Sequence, residues 1–289
     1  MASSGAFTGA DGFGGLSIRG GAENQNLILF DGIPVYCANH AFGLFSIFNS
    51  SVIKSARIYK GAVPAHYSGR QSSVLDIRTR SGNYREFAGN LSLGLFTGRA
   101  SLEDPIIKDK ASFLVSARRT FVDPWIGAAT RTINENSGKQ GQTNFYFYDI
   151  NAKLNFSLGD HSKVHFSYYN GRDNYVSDVT SPTENEMFLF TDRDQVNWET
   201  YNRLASVQMN SRLSRKLFVN TNIYRSEYSF ESFDHDRLET FDKSSGNFKS
   251  ASYNAGLHRS SIEDYGAILE FDWIPSEKMD FKFGGNYTY

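Results

Sequence analysis

From residue 88 to its end, the chain alternates apolar and polar residues with period two. Between 146 and 158, Tyr146, Tyr148, Ile150, Ala152, Leu154, Phe156 and Leu158 share one parity. Phe147, Asp149, Asn151, Lys153, Asn155 and Ser157 take the other. In an extended strand these parities lie on opposite faces, so the pattern predicts one dry side and one wet side. The split recurs at Leu91-Leu93-Leu95, Phe113-Val115-Ala117, Val164-Phe166-Tyr168, Ala205-Val207-Met209, Val219-Thr221-Ile223, Ala267-Leu269-Phe271-Trp273 and Phe281-Phe283-Tyr287. About nine strands are legible in this way.

A soluble sandwich alternates too, so the connections have to separate it from a membrane wall. Short turns at 157–163, 214–216 and 275–278 alternate with long polar stretches near 122–144, 172–196 and 231–262. That asymmetry belongs to membrane barrels, which carry tight turns on one side and long loops on the other. Several strands reach the roughly 9–11 residues that span a bilayer. Aromatics gather near strand ends, at Phe145–Tyr148 and Trp273, as interfacial girdles would. Lipid offers no partner to a bare strand edge, so the sheet must close. Nine strands with two open edges cannot, and further strands are expected beyond Tyr289.

Residues 16 to about 85 read differently. Leu27–Phe30 and Ile33–Tyr36 are apolar runs joined by Asp31-Gly32, a hairpin cue because such a turn needs the positive φ that glycine supplies cheaply. Pro34 places its strand on an edge. Phe42–Ser55 has the spacing of a short helix or two, and Ala56–Lys60 and Val74–Arg78 are strand-like. The expectation is mainly β: a partial, small α+β unit over 1–86, then an incomplete antiparallel transmembrane β-barrel over 87–289.

Composition trims the alternatives. With 30 Lys+Arg against 31 Asp+Glu, the 289 residues carry no basic excess, and no nucleic-acid partner is expected. The single cysteine, Cys37, excludes an internal disulfide and a cysteine zinc cage. Mean hydropathy is −0.43, yet aromatics reach 15 %. No apolar run approaches the length of a membrane helix. The opening has no signal-peptide pattern and the end falls inside an alternating strand, so the chain is expected to be a piece of a longer one.

The most specific stretch is Arg19-Gly20-Gly21, then Asn24 to Tyr36 with its Asp-Gly-Ile-Pro-Val-Tyr hairpin, then Tyr59-Lys60-Gly61, Pro64-Ala-His-Tyr67, Gly69-Arg70 and Ser73-Val74-Leu-Asp-Ile77. These motifs and their spacing, over about 15–80, resemble the plug domain of TonB-dependent outer-membrane receptors. The likeness is greatest to the Bacteroidetes type that often carries a carboxypeptidase-like regulatory domain. Cys37 departs from the small polar residue common in the family. The pattern around the hairpin differs from SusC-type plugs, so a SusD-partnered glycan importer is not the expectation.

The resemblance implies a barrel of about 22 strands stoppered by the plug. It implies residence in the outer membrane, with lipid as one partner and a TonB-type energy-coupling protein as another. It implies uptake of a scarce small nutrient such as a siderophore or cobalamin, with no cofactor and no bond-making chemistry. A soluble β-rich binding or adhesion domain is the competing reading.

A plug must be held yet removable, and charge pairs across a wet seam suit that. Arg19, Arg70 and Arg78 of the plug are expected to pair with Glu270 and Asp272, which lie on the lumen parity; the alternative is solvated surface charge. Gly20, Gly21, Asp31, Gly32, Gly61 and Gly69 are expected to form turns. Tyr175, Phe188, Phe190 and Trp198 in the long stretches are expected to line a ligand mouth, against ordinary loop packing. Enzyme and metal signatures are weak. His161 and His165 straddle a turn, Asp192/Asp194 and Asp234/Asp236 read as loop acids, and no catalytic or metal-binding residue is expected.

Overall fold

The computed structural model describes residues 6–8, 16–18, 25–61, 63–67, 69–70 and 72–289. Its N-terminal part holds a two-stranded pair, β1 (Ala6–Thr8) with β2 (Leu16–Ile18). A four-stranded sheet follows, built from β3 (Leu27–Phe30), β4 (Ile33–Pro34), β7 (Ile53–Tyr59) and β8 (Val74–Thr79) in the order β4-β3-β8-β7. The β3–β8 pair is parallel and the others antiparallel. Asp31 at φ 51° and Gly32 at φ 80° make the β3–β4 turn, and Pro34 lies on the edge strand, as its missing N–H requires.

The helices expected over Phe42–Ser55 do not form. A single 3-10 turn, Ala41–Gly43, sits between β5 (Asn39–His40) and β6 (Phe45–Ser46). The apolar side chains there, Phe45, Ile47 and Val52, are drawn singly toward the wall and the plug core instead of lining one helical face. Tertiary contacts override the local spacing.

The remainder is one nine-stranded antiparallel sheet in sequence order: β9 (Ala88–Leu93), β10 (Thr97–Ile107), β11 (Ala111–Thr120), β12 (Gln140–Leu158), β13 (Ser162–Glu184), β14 (Phe188–Arg212), β15 (Leu217–Asp242), β16 (Phe248–Ser276) and β17 (Met279–Thr288). The alternation sorts as the sequence implies. Leu93, Leu102, Val115, Ile150, Leu154, Phe166, Val207, Ile223, Leu269 and Phe283 are exposed on the outward face. An apolar face of this extent is of the kind a transmembrane β-barrel turns outward. The other face curls around the plug, burying Asp149, Asn151, Lys153 and Asn155 against it. No described helix is long and apolar enough to cross a membrane.

Two of the expected long loops are strands. Residues 172–196 and 231–262 continue β13–β16 far past bilayer thickness as hairpins, closed by turns near 185–187 and 243–247. Beyond the bilayer both faces of such a ribbon are wet. The alternation that marks a half-buried strand disappears although the ladder continues. The stretch 122–144 contains a helix, α1 (Asp123–Asn136). It covers the edge of β12 left bare where β11 ends. Thr130 Oγ1 accepts from Thr143 N at 3.0 Å and donates to Thr143 O at 3.2 Å, and Asn134 Nδ2 donates to Gly141 O at 3.0 Å. A long exposed edge would otherwise invite pairing with another chain.

Candidate functional site

The plug is fastened to the wall at three charged contacts stacked along β10–β13. The outermost centres on His40 at the end of β5. Its Nδ1 lies 2.8 Å from Asp173 Oδ1 and its Nε2 2.7 Å from Asp149 Oδ1. A carboxylate can only accept, so both ring nitrogens must donate, and the ring is the imidazolium. Burial alone would depress its pKa, but the bonds and charges of the two aspartates outweigh it and raise His40 to about 9. The rest of the shell completes the balance. Arg118 Nε donates to Asp149 Oδ2 at 2.6 Å, Tyr169 Oη donates to Asp149 Oδ1 at 2.7 Å, and Thr200 Oγ1 donates to Asp173 Oδ2 at 3.0 Å. Two cations face two anions, so a site whose His40 and Asp149 are 2 % and 0 % exposed is neutral overall. Phe147 stacks flat on the imidazole at 4.3 Å with Arg118 over its other neighbourhood at 5.1 Å, a cation–π contact in a dry setting.

The second contact is at the hairpin. Asp31 accepts Thr79 N at 2.8 Å and Lys153 Nζ at 3.0 Å, and Lys153 Nζ also reaches Thr79 Oγ1 at 2.8 Å. Burial would raise the Asp31 carboxyl; the Lys153 charge and the Thr79 bonds prevail and hold it below its ordinary value. The third is Arg80, whose guanidinium clamps Ser51 O at 2.8 and 3.1 Å and Glu103 Oε1 at 2.8 Å. Around these, wall side chains cap plug carbonyls: Asn202 to Cys37 O at 2.6 Å, Ser226 to Pro34 O at 2.7 Å, Gln208 to Asp31 O and Asn155 to Ser81 O. Tyr36 donates its hydroxyl to Asp264, and burial together with that carboxylate keeps the phenol above its usual value.

The expected pairing residues are placed otherwise. Arg78 pairs with Asp76 of its own strand at 2.9 Å, and Asp272 pairs with Lys282 of the neighbouring wall strand at 2.9 Å. Arg78 finds its opposite charge two positions away on its own strand and Asp272 finds its own directly across the ladder, before the seam is reached. Arg70 and Glu270 line one gap between plug and wall, but no ion pair among the described residues joins them. Arg19, Gly20 and Gly21 lie outside the described residues. Asp31 and Gly32 form the hairpin turn, Gly69 has φ 96°, and Gly61 sits in the bend after β7. Sequence reasoning missed His40, Asp149, Asp173 and Lys153. For Asp149 and Lys153 the signal was charge on the lumen parity of 146–158; His40 and Asp173 lie outside that stretch.

Above the plug apex, Phe145, Tyr175, Trp198 and Phe230 run across four adjacent strands on the lumen face. Tyr175 stacks on Trp198 at 5.4 Å, and Phe145 and Phe230 lie 6.2 and 6.4 Å from Trp198. Ala41 and Phe45 of the plug pack against the same cluster. Tyr175 and Trp198 are thus brought together. Phe188 and Phe190 contact each other farther out, beside the hairpin tip, and do not join them.

Residues 2–73 match the family model of the TonB-dependent Receptor Plug Domain. No curated protein matches. Among solved structures, a ferric enterobactin receptor mutant from Pseudomonas aeruginosa is 14 % identical with a TM-score of 0.45, aligned over 98 % of this chain and 53 % of its own. The siderophore receptor PirA from Acinetobacter baumannii is 14 % identical with a TM-score of 0.42 over 98 % and 57 %. The outer membrane transporter YddB from Escherichia coli is 10 % identical with a TM-score of 0.43 over 95 % and 50 %. The chain spans about half the length of the solved structures it matches. The segment 2–73 is thus similar to the plug domain of TonB-dependent receptors, and the strands that follow form one antiparallel wall whose far face is apolar.

Proposed function

We propose that the protein takes up a scarce small nutrient, of the siderophore or cobalamin kind, across the outer membrane, with a TonB-type protein supplying the energy. One observation carries this reading: beside an apolar patch where Ile28 and Val35 meet Leu204 and Tyr224, the plug is held by ion pairs and hydrogen bonds that water can replace. Buried ion pairs are costly to break singly, but a plug withdrawn into water exchanges each for hydration. Tyr175, Trp198 and Phe230, half-buried and backed by the buried Phe145, give a ligand flat, partly open faces above the plug, with Tyr and Trp as large anchors of low entropic cost. The reading assigns no bond-making step to any residue.

The test is uptake by cells carrying the full-length receptor. A panel of ferric siderophores and cobalamin is supplied under limitation, with and without an uncoupler. Accumulation of one ligand that depends on both the receptor and the proton gradient supports the reading. Accumulation of none of them, or gradient-independent passage, overturns it.

A further inference from the structure

The plug is not fastened evenly. Among the described residues, every ion pair that crosses from plug to wall ends on β10, the β10–β11 turn, β12 or β13: Arg80 with Glu103, the exposed Arg85 with Asp109, Asp31 with Lys153, and His40 with Asp149 and Asp173. Toward β14–β17 the plug meets uncharged donors from Asn202, Gln208 and Ser226, the single Tyr36–Asp264 bond, and apolar packing of Ile28 and Val35 near Leu204 and Tyr224.

On that second side a gap of about 610 Å³ opens between the β3–β4 hairpin and the wall. Gln208, Asn220, Asn222 and Glu270 face it from the wall, and Arg70 and Arg78 from the plug. The wall groups form a continuous row, because Gln208 is paired in register with Asn222 and Asn220 with Glu270. Asn222 is 8 % exposed, yet its Oδ1 has no hydrogen-bond partner. A buried amide left half satisfied costs free energy unless something polar visits it. The hairpin reaches this row through Gly32, where a Cβ would stand 3.2 Å from Asn222 Nδ2 and 3.4 Å from Arg78.

We propose that this gap is the path by which a solute passes the plug. The plug stays held to β10–β13 by its ion pairs, with Asp31 of the turn still on Lys153, while Gly32 and β4 swing away from β14–β16, and the amide row then bonds the solute in place of the plug's carbonyls. Amides donate and accept without the desolvation penalty of a charge, so the path suits a hydrophilic solute rich in hydroxyl or amide groups. The inference rests on the uptake reading above and adds which side opens.

The experiment uses the full-length receptor in cells, in a Cys37→Ser background, with Asn222→Cys as reporter. The probe is a charged methanethiosulfonate reagent, and modification is read from the mass of the peptide carrying the reporter. Two engineered disulfides divide the plug's sides. Ser51→Cys with Ser116→Cys, whose hydroxyls are 3.2 Å apart, ties the plug to β11. Pro34→Cys with Ser226→Cys ties the hairpin to β15. Heat-modifiable gel migration verifies that each variant is folded.

Energised cells are expected to modify the reporter several-fold faster than uncoupled cells. The Ser51–Ser116 tie leaves that acceleration intact, and the Pro34–Ser226 tie abolishes it. The reverse pattern, loss with both ties, or loss with neither overturns the proposal while leaving energised uptake standing. Absence of any acceleration without ties removes the uptake reading and this inference with it.

Discussion

His40 and Asp149 are 109 residues apart in the chain and 2.7 Å apart in space, and both are almost completely buried. Their contact joins the plug to the wall at a point where neither partner can be hydrated without movement. It constrains how the two units sit, and it makes definite predictions.

Removing the cation leaves Asp173 buried without its charge partner. His40→Ala is expected to weaken plug docking by about 3–5 kcal/mol, the usual cost of breaking one side of a buried pair. Protease cleavage within the plug of the folded receptor should rise accordingly. Unchanged protection would remove His40 from the latch.

The same residue sets an alkaline limit. Its folded pKa is raised from 6.5 to about 9, so its contribution is complete below pH 6.5 and is lost as pH rises through about 9. Asp149, Asp173, Arg118 and Tyr169 all face it, and none of them supplies a substitute cation to Asp173. Plug protection should fall between about pH 7 and pH 10 in the native receptor, and His40→Gln should flatten that profile. Asp31 has the opposite sign. Its pKa is lowered, so its contribution is present above the unfolded value of 3.8 and is lost as pH falls below it.

Gly171 on β13 leaves room for the latch. A Cβ there would run into the Tyr169 hydroxyl and stand 3.2 Å from Asp149 Oδ1. Gly171→Ala should displace Tyr169 and cost about 1–3 kcal/mol, the penalty of a buried acceptor losing its donor. Gly285→Ala, with nothing within 4 Å of the added atom, is the neutral control in the same unfolding measurement.

The outward face can be tested alone. Leu154 is 40 % exposed on the apolar side of β12. Leu154→Lys should cost about 2–4 kcal/mol in vesicles if it sits near the bilayer midplane. Equilibrium folding into lipid would show it, and a cost near zero would deny the lipid contact.

The long hairpins show why some strands were illegible. Period-two alternation exposes a strand only while its two faces meet different media, as they do around Leu154 and Asn155. Past the bilayer, residues such as Asp192–Asp194 and Asp234–Asp236 are wet on both sides, and the sequence there reads as loop although the ladder runs on. The Asp31-Gly32 hairpin was legible because its backbone demands are local. The missing helices at Phe42–Ser55 were not, because distant wall residues decided where Phe45 and Ile47 would point.

By itself the sequence determined the two-faced parts of the wall strands, their faces, the hairpin and the likeness to a plug, since each is written in the preferences of neighbouring residues. Only the tertiary structure decided the latch. It replaced Arg78 and Asp272 with His40, Asp31, Arg80 and their wall partners, because a charge pairs with whatever opposite charge the fold brings within a few ångströms. That choice is made by strand register and plug placement, and no spacing along the chain encodes it.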